Sequence, residues 1–402
     1  MAKFSAAEWK KINALLDGDE EKYGLAARRA GSLVLASFNI RKLGKRKNKS
    51  DGAWDFLERF CSRCDFIAVQ EVLDNLEGLN HLKDRLGYGL VASDITGGVP
   101  NGRGMVERLA YLYRWKAIER TEVASDITYD RKVVLDTLFE HRDGFHAAFQ
   151  AHHKALIRHG KKVRDYIAGG RHGSRPRTPQ YVMPQFVTFI RTPLCVSFRI
   201  LPKRGSKPVD FLAVNAHLLF GNEDKHEQER EMEFRALIAW LVYRSRQASR
   251  MYHKNMMLFG DLNLDFKKAD ARRDAIEAWI KSLNKGQRLS RRGRAEINFP
   301  FFQVHDGEDG VYRSTARQKD TYDQIAFFNH DRRLPGPKQN KKAGDSSDGF
   351  DYGVFNFSDL FAEALHGKPL RNLSKTQQRG LFKKFEHDLS DHMPIWVRLP
   401  KP

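Results

Sequence analysis

The chain has 402 residues, of which 41% are hydrophobic, enough for one large α/β domain or two smaller ones. Mean hydropathy is −0.60, and no apolar run approaches the roughly 18 residues of a membrane span, which predicts a soluble globular protein. The 70 Lys+Arg against 50 Asp+Glu give a formal charge of +20, an excess that suggests a polyanionic partner, nucleic acid first. Cys61, Cys64 and Cys195 are too few for a disulfide framework, and no second Cys pair completes a zinc site with Cys61 and Cys64. Residues 1–30 are charged throughout and lack the apolar core of a signal peptide. The expectation is a reducing, cytoplasmic setting.

Taken in order, residues 5–30 read as a helical preface, with Trp9, Ile12, Leu15 and Leu16 at helical spacing. Residues 33–39 form an apolar strand that stops on Asn39. A basic cluster follows, with six Lys or Arg and no acid between positions 41 and 49. A helix is expected around 54–61, then a buried strand over 65–69 ending on Gln70 and Glu71. Residues 108–114, preceded by Glu107, alternate enough for a further strand. Residues 124–180 are poor in strand signals and close on a Gly/Pro-rich run. Positions 141–180 carry nine Lys or Arg against two acids, so this segment reads as a basic, helical insertion.

Strands are expected again over 185–191, 194–200 and 211–216, the last delivering His217. A helix with Phe234, Leu237, Ile238, Leu241 and Val242 on one stripe leads into the apolar run 256–259. That run breaks at Gly260 into Asp261-Leu262-Asn263. If the strand continues, Asp261 and Asn263 share a face, because strand side chains alternate. A second basic cluster, six residues between 281 and 294 without an acid, comes next. Asp323 then opens a strand, residues 332–349 make a polar and mobile loop, and Asp391-His392 precede a closing strand over 395–399. Sites in open α/β sheets gather at strand carboxyl ends. Here Asn39, Glu71, His217, Asp261 with Asn263, and Asp391 with His392 recur at such ends, with Asp323 entering another strand.

These residues resemble the endonuclease/exonuclease/phosphatase superfamily, the deoxyribonuclease I-like fold. The resemblance is carried by Ser37-Phe38-Asn39-Ile40, Val69-Gln70-Glu71-Val72, Asn215-Ala216-His217-Leu218, Gly260-Asp261-Leu262-Asn263, Tyr322-Asp323-Gln324-Ile325 and Ser390-Asp391-His392-Met393-Pro394. It implies a four-layer α/β sandwich of two packed, mostly antiparallel or mixed sheets flanked by helices. The catalytic domain would span 32–402 with an insertion at about 124–180, and 1–31 would be an N-terminal helical extension.

By the same resemblance Asn39, Glu71 and Asp391, with Asp261 as a further candidate, are metal ligands for Mg²⁺ or alternatively Mn²⁺, hard cations that take oxygen donors. Asp261 orients or deprotonates the attacking water, and Asn263 holds phosphoryl oxygens. His217 and His392 flank the scissile phosphate, one backed by Glu107 and the other by Asp323. Arg191 looks like an arginine that meets a substrate phosphate. Leu73 stands where the secreted enzymes carry a groove-reading arginine, so that contact is not expected here. The basic balance favours a divalent-metal-dependent phosphodiesterase cutting nucleic acid, DNA before RNA and as an endonuclease, because a polyphosphate backbone gains most from many cations. A regulatory protein partner is compatible with this but has no residue pointing to it. The alternative is a phosphatase or phosphodiesterase acting on a phosphoinositide, sphingolipid or nucleotide.

Overall fold

A computed structural model describes residues 2–96, 106–179, 181–221, 224–247, 252–266, 271–285, 295–302, 312–341 and 350–402. Most of the second basic cluster, positions 286–294, and residues 342–349 of the polar loop lie outside the described residues. Two units are defined by their internal contacts. One comprises Met1–Ile127, Arg191–His217 and Ile238–Pro402, and the other Thr128–Ile190 and Leu218–Leu237.

The first unit is built on two six-stranded sheets. One contains β1 (Ser32–Leu43), β2 (Phe66–Leu73), β3 (Gly89–Ala92), β4 (Glu107–Tyr113), β11 (Asp351–Val354) and β12 (Ile395–Pro400), in the order β11-β12-β1-β2-β4-β3. The other contains β5 (Ile118–Asp126), β6 (Leu194–Ile200), β7 (Val209–His217), β8 (Met256–Asp261), β9 (Glu296–Asn298) and β10 (Asp323–Asn329), in the order β5-β6-β7-β8-β10-β9. The pairs β1–β2 and β7–β8 are parallel among otherwise antiparallel neighbours. A parallel pair needs a crossover, and α6 (Asp224–Arg246) supplies it between β7 and β8.

The sheets pack face to face through aromatic rings. Phe66 of β2 lies 4.9 Å from Phe198 of β6 and 5.3 Å from Phe259 of β8, centroid to centroid. Alternation decides which residues face that core. Phe211 and Ala213 of β7, Met257 and Phe259 of β8, and Ile325 and Phe327 of β10 all belong to it. Every residue of β8 is buried, which is why positions 256–259 read as an unbroken apolar run.

The helices α1 (Ala6–Gly18), α2 (Asp51–Cys61), α3 (Glu77–Leu86), α8 (Phe357–His366) and α9 (Lys375–Asp388) also belong to the first unit, as does α7 (Ala271–Lys285). Ser5 and Glu8 form a reciprocal capping box that starts α1. Phe4 and Trp9 then pack their rings on Phe361 of α8 at 4.9 and 5.3 Å. Phe4, Trp9, Ile12, Leu16, Tyr23 and Leu25 thus line the same core as the strands. The architecture is an α/β sandwich of two six-stranded mixed sheets with helices.

The second unit holds α4 (Arg131–Glu140), α5 (Arg142–Ala168) and the first part of α6. Residues 185–191, expected as a strand, are irregular. Side-chain packing overrides the local β-propensity there. Phe186 and Phe189 pack on Tyr129 with centroids at 5.0 and 6.1 Å, and the Ile190 N–H donates to Glu233 at 2.6 Å instead of to a neighbouring strand.

Candidate active site

The inward parity of three adjacent strands continues to their ends, and polar residues take it over there. His217, Asp261 and Asp323 are aligned across the sheet, His217 paired with Asp261 between β7 and β8 and Asp261 with Asp323 between β8 and β10. Gly260 allows this alignment. Its φ is +152°, and an added Cβ would lie 2.8 Å from the Ala216 carbonyl carbon of β7. Only glycine lets the two backbones come this close.

Two histidines converge on one carboxylate oxygen. His217 Nε2 is 3.6 Å and His392 Nε2 is 3.5 Å from Asp261 Oδ2. Each ring is held from its other nitrogen. His392 Nδ1 donates to Asp323 Oδ2 at 2.8 Å, and His217 Nδ1 is 3.1 Å from Glu107 Oε2. A carboxylate there sets tautomer and ring orientation. The Ser314 hydroxyl accepts from the Tyr322 and Asp323 backbone N–H groups, both at 3.0 Å.

These charges settle one another. Burial alone would lower the His392 pKa, but the Asp323 and Asp261 carboxylates outweigh it and hold the pKa well above the ordinary value. Burial would raise Asp261, yet His392, His217, the Asn39 amide and the Asn263 N–H together hold it below the usual carboxylate value. Glu107 is likewise low despite burial, through its contacts with His217 and Arg191. Asp323 is raised by burial, only partly offset by His392. A cationic imidazole beside an anionic Asp261 is the arrangement at neutral pH.

Asn39 and Glu71 adjoin this cluster, though not as strand ends. Both β1 and β2 continue past them, to Leu43 and Leu73, across register shifts. Glu71 has a φ of +57° and Lys42 one of +50°. Glu71 is therefore aimed by an irregularity of the ladder, of the kind that re-aims residues beside active sites, while Asn39 stays in register with Gln70. Asn39 Nδ2 donates to Glu71 Oε1 at 3.2 Å and to Asp261 Oδ2 at 3.0 Å. The Ser390 hydroxyl donates to the Asn39 carbonyl at 2.6 Å and accepts from the Arg41 and His392 N–H groups, which brings the Asp391 turn alongside. Asp391 is ion-paired with Arg41.

Buried oxygens without a donor end in this region: Asn39 Oδ1, Asp323 Oδ1 and Asp391 Oδ1. Unsatisfied buried acceptors suit a cation, and Asn39 and Asp391 are two of the residues expected to hold one. Asp261, Asp323 and His392 also offer ligand atoms within 4.8 Å of one another, but His392 Nδ1 is already engaged by Asp323.

Two expectations change. The strand does not continue beyond Asp261. Asn263 adopts a φ of +51°, and its N–H donates back to Asp261 Oδ1 at 2.9 Å, so the pair is brought together by a tight turn rather than by strand alternation. Arg191 is not placed as a residue open to substrate. It is 1% exposed, 2.6 Å from Glu107 Oε2 through Nε, and its Nη1 donates to the His217 carbonyl at 3.4 Å. Burial turns it into a brace behind the Glu107–His217 pair.

Other residues of the site carried no role in the sequence reading. Asn215 faces inward two residues before His217. It accepts from Gln70 Nε2 at 2.7 Å and donates to the carbonyls of Val69 and Ala110, each at 3.1 Å, tying the sheets together beneath the site. Their place inside two of the quoted motifs was the available signal. Lys49, from the first basic cluster, is buried and donates to the Leu389 carbonyl at 2.5 Å, and burial pulls its pKa down to about 8.

No family model matches the chain, and no curated protein matches it. Solved structures similar to it include an endonuclease/exonuclease/phosphatase family protein from Bacteroides thetaiotaomicron, at 14% identity and a TM-score of 0.43, covering 92% of this chain and 94% of that one. The human Nocturnin catalytic domain is similar at 10% identity and a TM-score of 0.43, covering 92% and 95%. ANGEL2, a 2',3'-cyclic phosphatase, is similar at 13% identity and a TM-score of 0.45, covering 92% and 96%.

Proposed function

We propose that the chain is a divalent-metal-dependent phosphodiesterase that hydrolyses nucleic acid backbone, DNA in the first place. The observation that carries this is the convergence of His217 and His392 on Asp261 Oδ2, with Glu107 and Asp323 holding the two rings from behind. Phosphodiester hydrolysis needs an activated water, a proton for the leaving oxygen and stabilisation of charge on the phosphoryl group. Asp261, held as carboxylate, orients the water and accepts its proton. His392, held as imidazolium by Asp323 and Asp261, stabilises the charge growing on the phosphoryl oxygens and can protonate the leaving oxygen. His217, fixed by Glu107 and braced by Arg191, flanks the phosphate from the other side. The Asn263 amide holds a phosphoryl oxygen. Asn39, Glu71 and Asp391 would hold Mg²⁺ or Mn²⁺, which neutralises phosphoryl charge when bound.

The preference for nucleic acid rests on the charge of +20 and its clustering. Supercoiled plasmid, single-stranded RNA and inositol phosphates assayed side by side, with Mg²⁺ and with chelator, test it. Metal-dependent nicking or linearisation of the plasmid is expected. Turnover confined to inositol phosphates would move the assignment to a small-phosphoester hydrolase.

A further inference from the structure

The helix α5 of the second unit runs for 27 residues and buries only Phe145. Its partly covered side follows helical spacing through Ala148, His152, Ala155 and His159. The returning segment lies against that side. Tyr181 meets His152 edge-on with centroids 5.5 Å apart, and the His159 ring lies 3.2 Å from the Pro176 carbonyl oxygen. Away from it, Lys154, Arg158, Lys161, Lys162 and Arg164 are all exposed, as are Arg171, Arg175 and Arg177 on the returning segment. None of these eight has an ion pair among the described residues.

Such a helix is at odds with its own electrostatics. Lys154–Arg158 and Arg158–Lys162 are like charges at i,i+4, which destabilise an isolated helix by roughly 0.2–0.5 kcal/mol each. Between positions 144 and 180 the only acid is Asp165. A helix without a buried stripe, whose cations from Lys154 to Arg164 have no ion pair among the described residues, is most simply explained by a partner that supplies the missing charge. From Lys154 to Arg164 the cations span about 15 Å along the axis, at 1.5 Å per residue, comparable to several phosphate spacings of a nucleic acid.

We propose that the cationic side of α5, with the returning segment 171–177, is a nucleic-acid backbone grip that holds substrate without taking part in the chemistry. This rests on the nuclease reading for the identity of the polyanion. A membrane surface fits less well. The exposed Phe149, Leu156 and Ile167 do share a side of the helix, but Phe149 is stacked on Tyr181 at 4.9 Å. The exposed Ile157 falls among the cations, between Lys161 and Arg164, whereas a helix lying in a bilayer interface keeps its apolar residues on one uninterrupted side. Contacts to phosphates alone carry no sequence information, so the grip predicts affinity without base preference.

The test uses the full chain in chelator, so that nothing is cut. A fluorescent 30-base-pair duplex is titrated by anisotropy between about 50 and 200 mM salt. Each neutralised duplex phosphate contributes about 0.9 to the slope of log affinity against log salt, so Lys154→Gln/Arg158→Gln/Lys161→Gln/Lys162→Gln should flatten it by about 3–4. Affinity at moderate salt should fall by at least about tenfold. Turnover of bis(p-nitrophenyl) phosphate with Mg²⁺ should match wild type. If that variant loses helix content by circular dichroism, Arg171→Gln/Arg175→Gln/Arg177→Gln replaces it, with a flattening of about 2–3.

Unchanged affinity and slope in both variants would overturn the grip. So would wild-type protein that hydrolyses the small diester but binds no duplex at low salt, an outcome that leaves the hydrolase reading standing. Cation-dependent duplex binding by a protein that turns over no phosphoester would do the reverse, supporting the grip and removing the nuclease reading. Binding to phosphatidylserine vesicles that needs these cations, with duplex affinity unaffected, would also overturn it.

Discussion

Gly260→Ala is the most informative single substitution outside the polar residues. The new methyl carbon would lie 2.8 Å from the Ala216 carbonyl carbon, where carbon atoms prefer about 3.5–4.0 Å. The Ala216 carbonyl oxygen would be closer still, so strands β7 and β8 must part by at least roughly 0.7–1.2 Å. They carry His217 and Asp261 one residue beyond this contact, in register, so the gap opens where His217 Nε2 faces Asp261. A misplacement of about 1 Å can cost about 10²-fold in rate. The φ of +152° adds backbone strain of about 1–3 kcal/mol. The expected result is a folded protein with a lower melting temperature, nucleic-acid binding close to wild type, and kcat on a small phosphodiester reduced by about 10²-fold. Wild-type kcat and melting temperature in Gly260→Ala would refute the claim that backbone approach at this glycine positions the pair.

Three other predictions address the groups around it. The folded state binds the His392 proton more tightly than the unfolded chain does. The stabilisation from its carboxylate partners is therefore complete below the ordinary histidine pKa of about 6.5 and is lost as pH rises through the raised folded value. In chelated protein the His392 ring signals should remain those of imidazolium through neutral pH, and in Asp323→Asn the titration should move downward; a wild-type ring titrating near 6.5 would contradict this. Asn215→Ala strands the Val69 and Ala110 carbonyls without their donor, which should cost about 1–3 kcal/mol in denaturant unfolding; an unchanged midpoint would count against the inter-sheet tie. Arg191→Ala leaves Glu107 buried with one partner fewer, and a loss of about 3–5 kcal/mol is expected by the same measurement, with duplex affinity in chelator retained. A fall in affinity with stability unchanged would instead place Arg191 at the substrate.

Much of the site was legible because burial and chemistry disagree there. An inward position at the end of an apolar strand should be hydrophobic, so His217, Asp261 and Asp323 stand out along their own strands. What could not be read was backbone shape. Asn39 and Glu71 looked like strand ends, but the strands run on, and the bulges with positive φ at Lys42 and Glu71 have no residue signature such as glycine. The Asp261–Asn263 pair was found on a premise of strand alternation that the turn at Asn263 replaces. Residues 185–191 read as a strand, yet Tyr129 and Glu233, both distant in sequence, hold 186–190 in the second unit. The inclusion of 218–237 in that unit leaves no trace in composition, because the helix stripe continues unbroken across its boundary.

Asp261 is the centre of the site, since both histidines, the Asn39 amide and the Asn263 N–H meet its carboxylate. The most direct measurement is single-turnover cleavage of a labelled duplex in Mg²⁺ by Asp261→Asn, which keeps the shape and removes the charge. The expected rate is at least about 10²-fold below wild type, with duplex affinity in chelator retained. Cleavage at the wild-type rate would contradict it.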